Sequence, residues 1–182
     1  MILLPRCFDI QRTIHFFLHD KIMTKILLFD WGNTIMVDFR LPGPMFTWGK
    51  VAWVKGAEDA LKALAGYTCC IATNAGESDS EAVKKGLARI GADIYFRYIF
   101  SSGELGFEKP DPRFFRFIIG KLRTDPANCI MIGDNYEKDI ISAKTAGMKT
   151  ILFDPSDRRE PFHHADSVIS GMDQLSVIIE KL

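Results

Sequence analysis

The sequence predicts one α/β domain built on a parallel sheet of about five strands, with helices on both faces. From Lys25 onward, short apolar runs alternate with segments of helical character. Those runs lack the polar–apolar alternation of half-exposed strands, as expected where helices cover both sides of a sheet. Polar residues also follow several runs at their carboxyl ends, where ligands bind in open parallel sheets.

Six apolar runs are predicted as strands. They are rich in Ile, Leu, Val and Phe, which is typical of buried strands. The runs are 25–30, 68–73, 97–101, 129–133 and 148–153, with a weaker candidate for the sheet edge at 166–169.

Five segments are predicted as helices from their start and stop signals. Ser78-Asp-Ser-Glu81 has the form of a capping box, and Asp111-Pro112 is an N-cap residue followed by proline. Gly66 is typical of the residue just beyond a helix end. The segments cover 57–65, a stretch from 78 that ends before Gly91, a stretch from 111, 136–146, and a stretch from 173 to the C-terminus.

Residues 38–54 do not fit this alternation. They contain two prolines, two glycines and four aromatic residues, which predict a loop or hairpin. The aromatic residues are Phe39, Phe46, Trp48 and Trp53.

Residues 1–22 are predicted to be an N-terminal extension to a domain that covers 23–182. Ile10, Ile14, Phe17 and Leu18 follow the spacing of a short amphipathic helix. The extension is either dispensable or a docking helix, and Met23 is an alternative start. Interspersed charges argue against a signal peptide.

The composition excludes several functional classes. Apolar residues make up 47% of the 182 positions, and 23 basic side chains balance 23 acidic ones. This balance predicts neither nucleic-acid nor anionic-membrane binding, and no apolar run reaches the length of a membrane span. The four cysteines lack metal-binding spacing and are predicted to be free thiols in a reducing, cytoplasmic compartment.

Two strands are predicted to end on a carboxylate. Asp30 follows Ile26-Leu-Leu-Phe, and Asp134 follows Cys129-Ile-Met-Ile-Gly. A buried carboxylate requires a compensating partner. Two such strand ends side by side would form a divalent-cation site that contains a nucleophilic carboxylate, Asp30.

Three further segments of the sequence are predicted to contribute residues to the same site. Thr73-Asn74 ends a strand ahead of a helix, where a hydroxyl and backbone N–H groups can hold phosphate oxygens. Lys109 supplies an ammonium that can neutralise Asp30 and a transferring group. Asp139, with Asp134, offers hard oxygen ligands for Mg²⁺. Each motif alone is typical of a turn or a helix cap; together, in this order, they favour the functional interpretation.

This ordered set resembles the haloacid dehalogenase superfamily, over essentially all of 25–182. The resemblance implies a three-layer Rossmann-like fold and a Mg²⁺-dependent phosphatase. It also implies catalytic roles for Asp30, Lys109 and Thr73, and phosphate contacts from Thr34, Thr73, Asn74 and Lys109. The implied metal ligands are Asp30, the Gly32 carbonyl and Asp134, with Asp139 assisting the metal shell or fixing Lys109.

The chain departs from the family pattern at Gly32. Phosphatases of the family usually carry an aspartate there as general acid and base, an effect worth about 10²–10⁴ in rate. Asp38 and Glu77 are the nearest replacements by sequence. The leading hypothesis is a phosphomonoester hydrolase that acts through Asp30. The alternative is a weakly active or non-catalytic relative that binds a phosphorylated ligand or a protein partner.

The spacing of the motifs leaves no room for the cap domain that many relatives carry. Asp30 and Thr73 are 43 positions apart, and Thr73 and Lys109 are 36 apart. An open site predicts a phosphorylated substrate that can be large, or closure of the site by a homo-oligomer. The aromatic residues of 38–54 would line the entrance, grip a substrate or form a subunit contact, or else fold back on the core.

Overall fold

The computed structural model describes residues 25–158 and 160–182. Within this part of the chain, one sheet contains six parallel strands in the order β3-β2-β1-β4-β5-β6. The strands are β1 (Ile26–Phe29), β2 (Thr68–Thr73), β3 (Tyr98–Ser101), β4 (Cys129–Gly133), β5 (Lys149–Phe153) and β6 (Ser167–Ile169).

The strand order reverses at β1. Ile26 pairs with Thr68 of β2 on one side and with Cys129 of β4 on the other. The chain runs outward from β1 through β2 to β3 and then crosses to β4 on the opposite side. Such a reversal opens a cleft beyond the carboxyl ends of the two central strands, and Asp30 and Asp134 follow those ends.

Six α-helices are described in the part of the chain that the structure covers. The fifth continues a π-helical segment, Tyr136–Ile141. The helices are α1 (Ala57–Ala63), α2 (Ser80–Ala88), α3 (Ser102–Leu105), α4 (Pro112–Leu122), α5 (Ser142–Thr145) and α6 (Leu175–Lys181).

The two faces of the sheet bury separate hydrophobic cores. Leu27 and Phe29 of β1 point to one face and pack in a cluster with residues of α1, α2 and α6. Leu28, between them, points to the other face and packs with residues of α4 and α5. Successive strand residues alternate between faces, so an unbroken apolar run serves both cores. The predicted three-layer arrangement is confirmed.

The predicted strands agree with the structure to within one residue at each end, and the edge candidate is a true strand, β6. The helices differ more: α3 was not predicted, α6 begins at Leu175 after a 3-10 turn at Met172–Gln174 rather than at 173, and α2 starts later than predicted. The side chain of Asp79, rather than Ser78, caps α2 by accepting a hydrogen bond from the Ala82 N–H at 2.8 Å. Ser78 is buried instead, and its carbonyl accepts a hydrogen bond from the Ser101 hydroxyl.

Residues 38–54 form a loop that is fastened to the domain. The carbonyl of Phe46 accepts a hydrogen bond from Arg89 of α2 at 3.2 Å, and the Trp48 indole donates to the Gly43 carbonyl at 2.8 Å. Trp48 is buried, and Trp53 packs edge-on against Tyr95. Phe46 also packs against the core, so three of the four aromatic residues fold inward. No further domain interrupts the described chain between β1 and β3.

Several predictions concern residues outside the described part: the helix at 10–18, the alternative start at Met23, and Cys7. Within it, Cys69, Cys70 and Cys129 are free and buried, as predicted. No helix among the described residues has the length and apolar character needed to span a bilayer.

Candidate active site

Asp30 lies at the centre of the cleft, directly after β1. Its backbone N–H donates to the Ile132 carbonyl of β4 at 2.9 Å, so the pairing of β1 with β4 continues as far as this residue. The Asp30 side chain is 15% exposed. Its carboxylate therefore remains accessible at the carboxyl edge of an otherwise buried strand.

Lys109 lies beside Asp30 in the wall of the cavity. Its ammonium donates to Asp30 Oδ1 at 2.9 Å, to Asp139 Oδ1 at 2.5 Å and to the Ala72 carbonyl at 2.7 Å. The Lys109 side chain is only 2% exposed. Burial acts to lower its pKa, but the charges of Asp139 and Asp30 more than offset burial and raise it. Lys109 is therefore a permanent buried cation beside Asp30.

Asn74 fixes the backbone of Lys109. The Asn74 side chain accepts a hydrogen bond from the Lys109 N–H at 2.9 Å and donates one to the Lys109 carbonyl at 2.7 Å. This reciprocal pair joins the end of β2 to the segment before α4. The Asn74 side chain is thus committed to Lys109, and Asn74 also lines the cavity.

Three carboxylates converge on one point. Ligand oxygens of Asp30, Asp134 and Asp139 all lie within 4.8 Å of one another. Burial and, to a lesser extent, the charge of Asp30 together raise the pKa of Asp134 to about 6. Burial also raises the pKa of Asp139, against the opposing effect of Lys109. Three carboxylates this close together offer the hard oxygen ligands that a divalent cation such as Mg²⁺ prefers.

Asp139 differs from the other two acids in its partners. Its Oδ1 accepts from Lys109, and its Oδ2 accepts from the Asn135 N–H at 3.1 Å. The carboxylate packs against the α-carbon of Gly133, where a Cβ atom would lie 2.3 Å from Oδ2. Both oxygens are therefore engaged within the protein, an arrangement suited to holding Lys109.

Two residues predicted to bind phosphate occupy different positions. Thr73 is nearly buried but borders the cavity beside Asp30. Thr34 is completely buried, and its hydroxyl has no hydrogen-bond partner among the described residues. The structure does not bring Thr34 to the wall of the cavity, because the turn after Asp30 directs its side chain inward. Thr73 is thus the residue of the pair that can reach a phosphate.

The cavity above these residues has a volume of about 370 Å³. Its wall also contains polar residues that the sequence did not predict for the site, among them Asn33, Lys138 and Ser78. Asn33 adopts a left-handed backbone conformation, with φ of 53°, and its side chain lowers the pKa of Asp134 through a hydrogen bond. Asn tolerates this conformation better than most residues, which was the one signal available in the sequence. Gly32 and Asp38 also line the wall.

Comparisons with known proteins identify the family of the chain. The sequence profile of haloacid dehalogenase-like hydrolases matches residues 49–147. Ribulose-1,5-bisphosphate 5-phosphatase of Halopiger xanaduensis is 35% identical over 80 residues, which are 44% of this chain and 34% of that protein. Glyceraldehyde 3-phosphate phosphatase of Methanothermobacter thermautotrophicus is 30% identical over 99 residues, 51% of this chain and 44% of that protein.

A solved structure matches over a greater length. An uncharacterized protein from Listeria monocytogenes serotype 4b superposes with a TM-score of 0.74 and 27% identity, over 87% of this chain and 99% of that one. The chain spans less than half the length of the two curated relatives. The profile match nevertheless covers more than half of this sequence. The chain therefore belongs to the haloacid dehalogenase-like hydrolases.

Proposed function

We propose that this chain is a Mg²⁺-dependent phosphomonoester hydrolase that acts through an aspartyl-phosphate on Asp30, with residues 23–182 as its catalytic domain. One observation carries the proposal: the buried Lys109 ammonium lies 2.9 Å from Asp30, at the edge of a cavity. A carboxylate nucleophile attacking a phosphate dianion meets strong charge repulsion. A fixed cation beside the nucleophile reduces that repulsion in the transition state.

The chemistry proceeds in two displacements. An Asp30 carboxylate oxygen attacks phosphorus, and the bond from phosphorus to the ester oxygen breaks. A water molecule then attacks phosphorus, the bond to Asp30 breaks, and inorganic phosphate leaves. Through both steps Lys109 offsets negative charge. The Thr73 hydroxyl and the backbone N–H groups that follow it bind the phosphoryl oxygens.

The cation would be held by the carboxylates of Asp30 and Asp134 and the carbonyl of Gly32. These three residues line the same cavity, and glycine retains the carbonyl that this role needs. Asp139 would fix Lys109 and support the metal shell. When bound, Mg²⁺ supplies positive charge that stabilises the phosphoryl group during transfer.

The substrate is proposed to be the phosphate monoester of a small metabolite. The curated relatives are named as phosphatases of ribulose-1,5-bisphosphate and glyceraldehyde 3-phosphate. A cavity of about 370 Å³ is in the usual range for small-molecule sites. The uncapped site also predicts larger phosphorylated substrates, so an activity screen should include them. A cytoplasmic location and a homo-oligomer formed through 38–54 remain predictions.

A second function is favoured by one observation. Gly32 provides no acid beside Asp30, so the chain could bind a phosphorylated ligand without hydrolysing it. Turnover separates the two functions. The screen measures phosphate release from sugar phosphates, nucleotides, phosphopeptides and an aryl phosphate, with and without Mg²⁺.

The matched variants are Asp30→Asn and Asp59→Asn, the second of which alters a carboxylate that is 88% exposed on α1. We expect Mg²⁺-dependent turnover that Asp30→Asn abolishes and Asp59→Asn preserves. Ligand binding with no turnover by the unaltered chain would support the binding function instead.

A further inference from the structure

We propose that Asp38 is the general acid and base of this site and replaces the carboxylate that the family usually carries at position 32. The inference rests on the proposed hydrolase activity and assigns a residue to its proton transfers. A Cβ atom built on Gly32 would lie 3.9 Å from the Asp38 Cβ. Both residues line the cavity that contains Asp30. A carboxyl group carried by Asp38 can therefore occupy the space beside Gly32.

The turn after Asp30 brings Asp38 to this place. The N–H groups of Ile35 and Met36 both donate to the Trp31 carbonyl at 3.0 Å, and the Asn33 N–H donates to the Met36 carbonyl at 2.8 Å. Met36 forms a bridge with Gly32. The chain has thus folded back alongside Gly32 when it reaches Asp38 two residues later.

Two hydrogen bonds hold Asp38 in position. Its backbone N–H donates to the Asn33 side chain at 3.0 Å, and its Oδ1 accepts from the Arg40 N–H at 2.7 Å. Among the described residues, Oδ2 has no such partner and is available to a substrate or to water. Asp38 is half-buried, so solvent can return its proton after each cycle.

The other acids near the site are less suited to this role. Of the carboxylates that line the cavity, Asp30, Asp134 and Asp139 form the acidic cluster. Asp38 alone remains outside that cluster. Glu77, the second replacement indicated by the sequence, is exposed and does not line the cavity.

Asp38 would transfer one proton in each displacement. Protonated Asp38 gives its proton to the ester oxygen as the bond from that oxygen to phosphorus breaks, so the product leaves as an alcohol. The Asp38 carboxylate then accepts a proton from the water that attacks the phosphorus on Asp30. Asp38 is protonated again when inorganic phosphate leaves, and the cycle balances.

The experiment compares two esters in the Asp38→Asn variant. Alkyl phosphates have a strongly basic leaving group that needs a proton, whereas 4-nitrophenyl phosphate does not. We expect kcat/KM to fall about 10²–10⁴-fold for the alkyl ester and to change little for the aryl ester. Because hydrolysis of the aspartyl-phosphate also slows, the aryl ester should give a burst of nitrophenolate equal to the enzyme present.

A second variant tests for rescue. The space around Gly32 admits a side chain, since the nearest atoms lie 3.8 and 3.9 Å from a Cβ atom there. Gly32→Asp added to Asp38→Asn should restore alkyl-ester hydrolysis and remove the burst. Glu77→Gln is the matched control and should behave like the unaltered chain.

An equal loss for both esters without a burst would show that Asp38 has a structural role and would overturn the inference. Unchanged kinetics in Asp38→Asn, or a selective loss in Glu77→Gln, would also overturn it. Failure of the hydrolase proposal is a different result: no turnover by the unaltered chain, or turnover that survives Asp30→Asn.

Discussion

The ammonium of Lys109 lies 2.5 Å from Asp139 Oδ1, and both side chains are almost completely buried. Two charges removed from water depend on each other, because either one alone pays the full desolvation penalty. This pair therefore contributes to the stability of the domain as well as to the site. Asp30 and Asp134 add further negative charge nearby.

Lys109→Met should destabilise the protein. Methionine is about as long as lysine but carries no charge, so the substitution leaves Asp139 buried without its cation. Such a loss typically costs about 3–5 kcal/mol. Urea unfolding followed by circular dichroism measures the change. Lys62→Met is the control, since Lys62 pairs with Glu58 at 2.8 Å on an exposed helix surface. An equal loss of stability in the two variants would contradict the prediction.

Mg²⁺ should raise the melting temperature through the acidic cluster. A ligand that binds only the folded state adds about 2.7 kcal/mol of stability at a concentration 100 times its Kd. Asp134→Asn should remove this gain, because it deletes one of the charged oxygen ligands. Asp59→Asn should retain it. Calorimetry at increasing Mg²⁺ concentration measures both variants, and an undiminished gain in Asp134→Asn would argue against the cation site.

The affinity for Mg²⁺ should fall as the pH drops through about 6. Burial and Asp30 raise the pKa of Asp134 to about 6, whereas the pKa of an aspartate in the unfolded chain is about 3.9. Between these values the folded state binds more protons than the unfolded state, so Asp134 lowers the stability of the metal-free protein as pH rises. Protonated Asp134 cannot ligate a cation.

Isothermal titration calorimetry at pH 5 and pH 7.5 tests this prediction. Mg²⁺ should bind more tightly at the higher pH and release protons as it binds. The same affinity at both pH values, with no proton release, would mean that Asp134 is not the titrating ligand.

Two helical glycines should respond oppositely to alanine. In α2, a Cβ atom on Gly86 would lie 2.4 Å from the Trp31 ring, so Gly86→Ala must displace the residue that follows Asp30. Overpacking of this kind costs about 1–3 kcal/mol, and we expect activity to fall with it. In α4, no atom lies within 4 Å of a Cβ atom on Gly120. Gly120→Ala should stabilise the helix by about 0.5–1 kcal/mol.

Thermal unfolding and phosphate release, measured on both variants, decide this prediction. A Gly86→Ala variant as stable and as active as the unaltered chain would show that Trp31 can move without cost. A destabilised Gly120→Ala variant would contradict the expected gain in helix propensity.

Strand ends were the most predictable part of the site. Asp30, Thr73 and Asp134 directly follow apolar runs, and parallel strands bring such ends to one edge of a sheet. Lys109 and Asp139 come from connecting segments, and the resemblance to a family, rather than any periodicity, predicted that they meet.

The interior of the turn after Asp30 was not predictable from spacing. The direction of Thr34 and the return of Asp38 to Gly32 both depend on the left-handed conformation of Asn33 and on hydrogen bonds to the Trp31 carbonyl. A motif of fixed spacing specifies which residues are present, but not the side of the turn to which each one points. The sequence could not distinguish Asp38 from Glu77 for the same reason.

The hydrogen bond from the Asp30 N–H to the Ile132 carbonyl has one more consequence. Because of this bond, the distance between the segments that carry Asp30 and Asp134 is set by the spacing of paired strands, which is about 4.8 Å in any sheet. A cation of a different radius cannot be accommodated by spreading β1 and β4 without breaking main-chain hydrogen bonds. At the proposed cation site, strand pairing would therefore set the separation of the acid-bearing segments, and side-chain rotamers would supply the remaining adjustment.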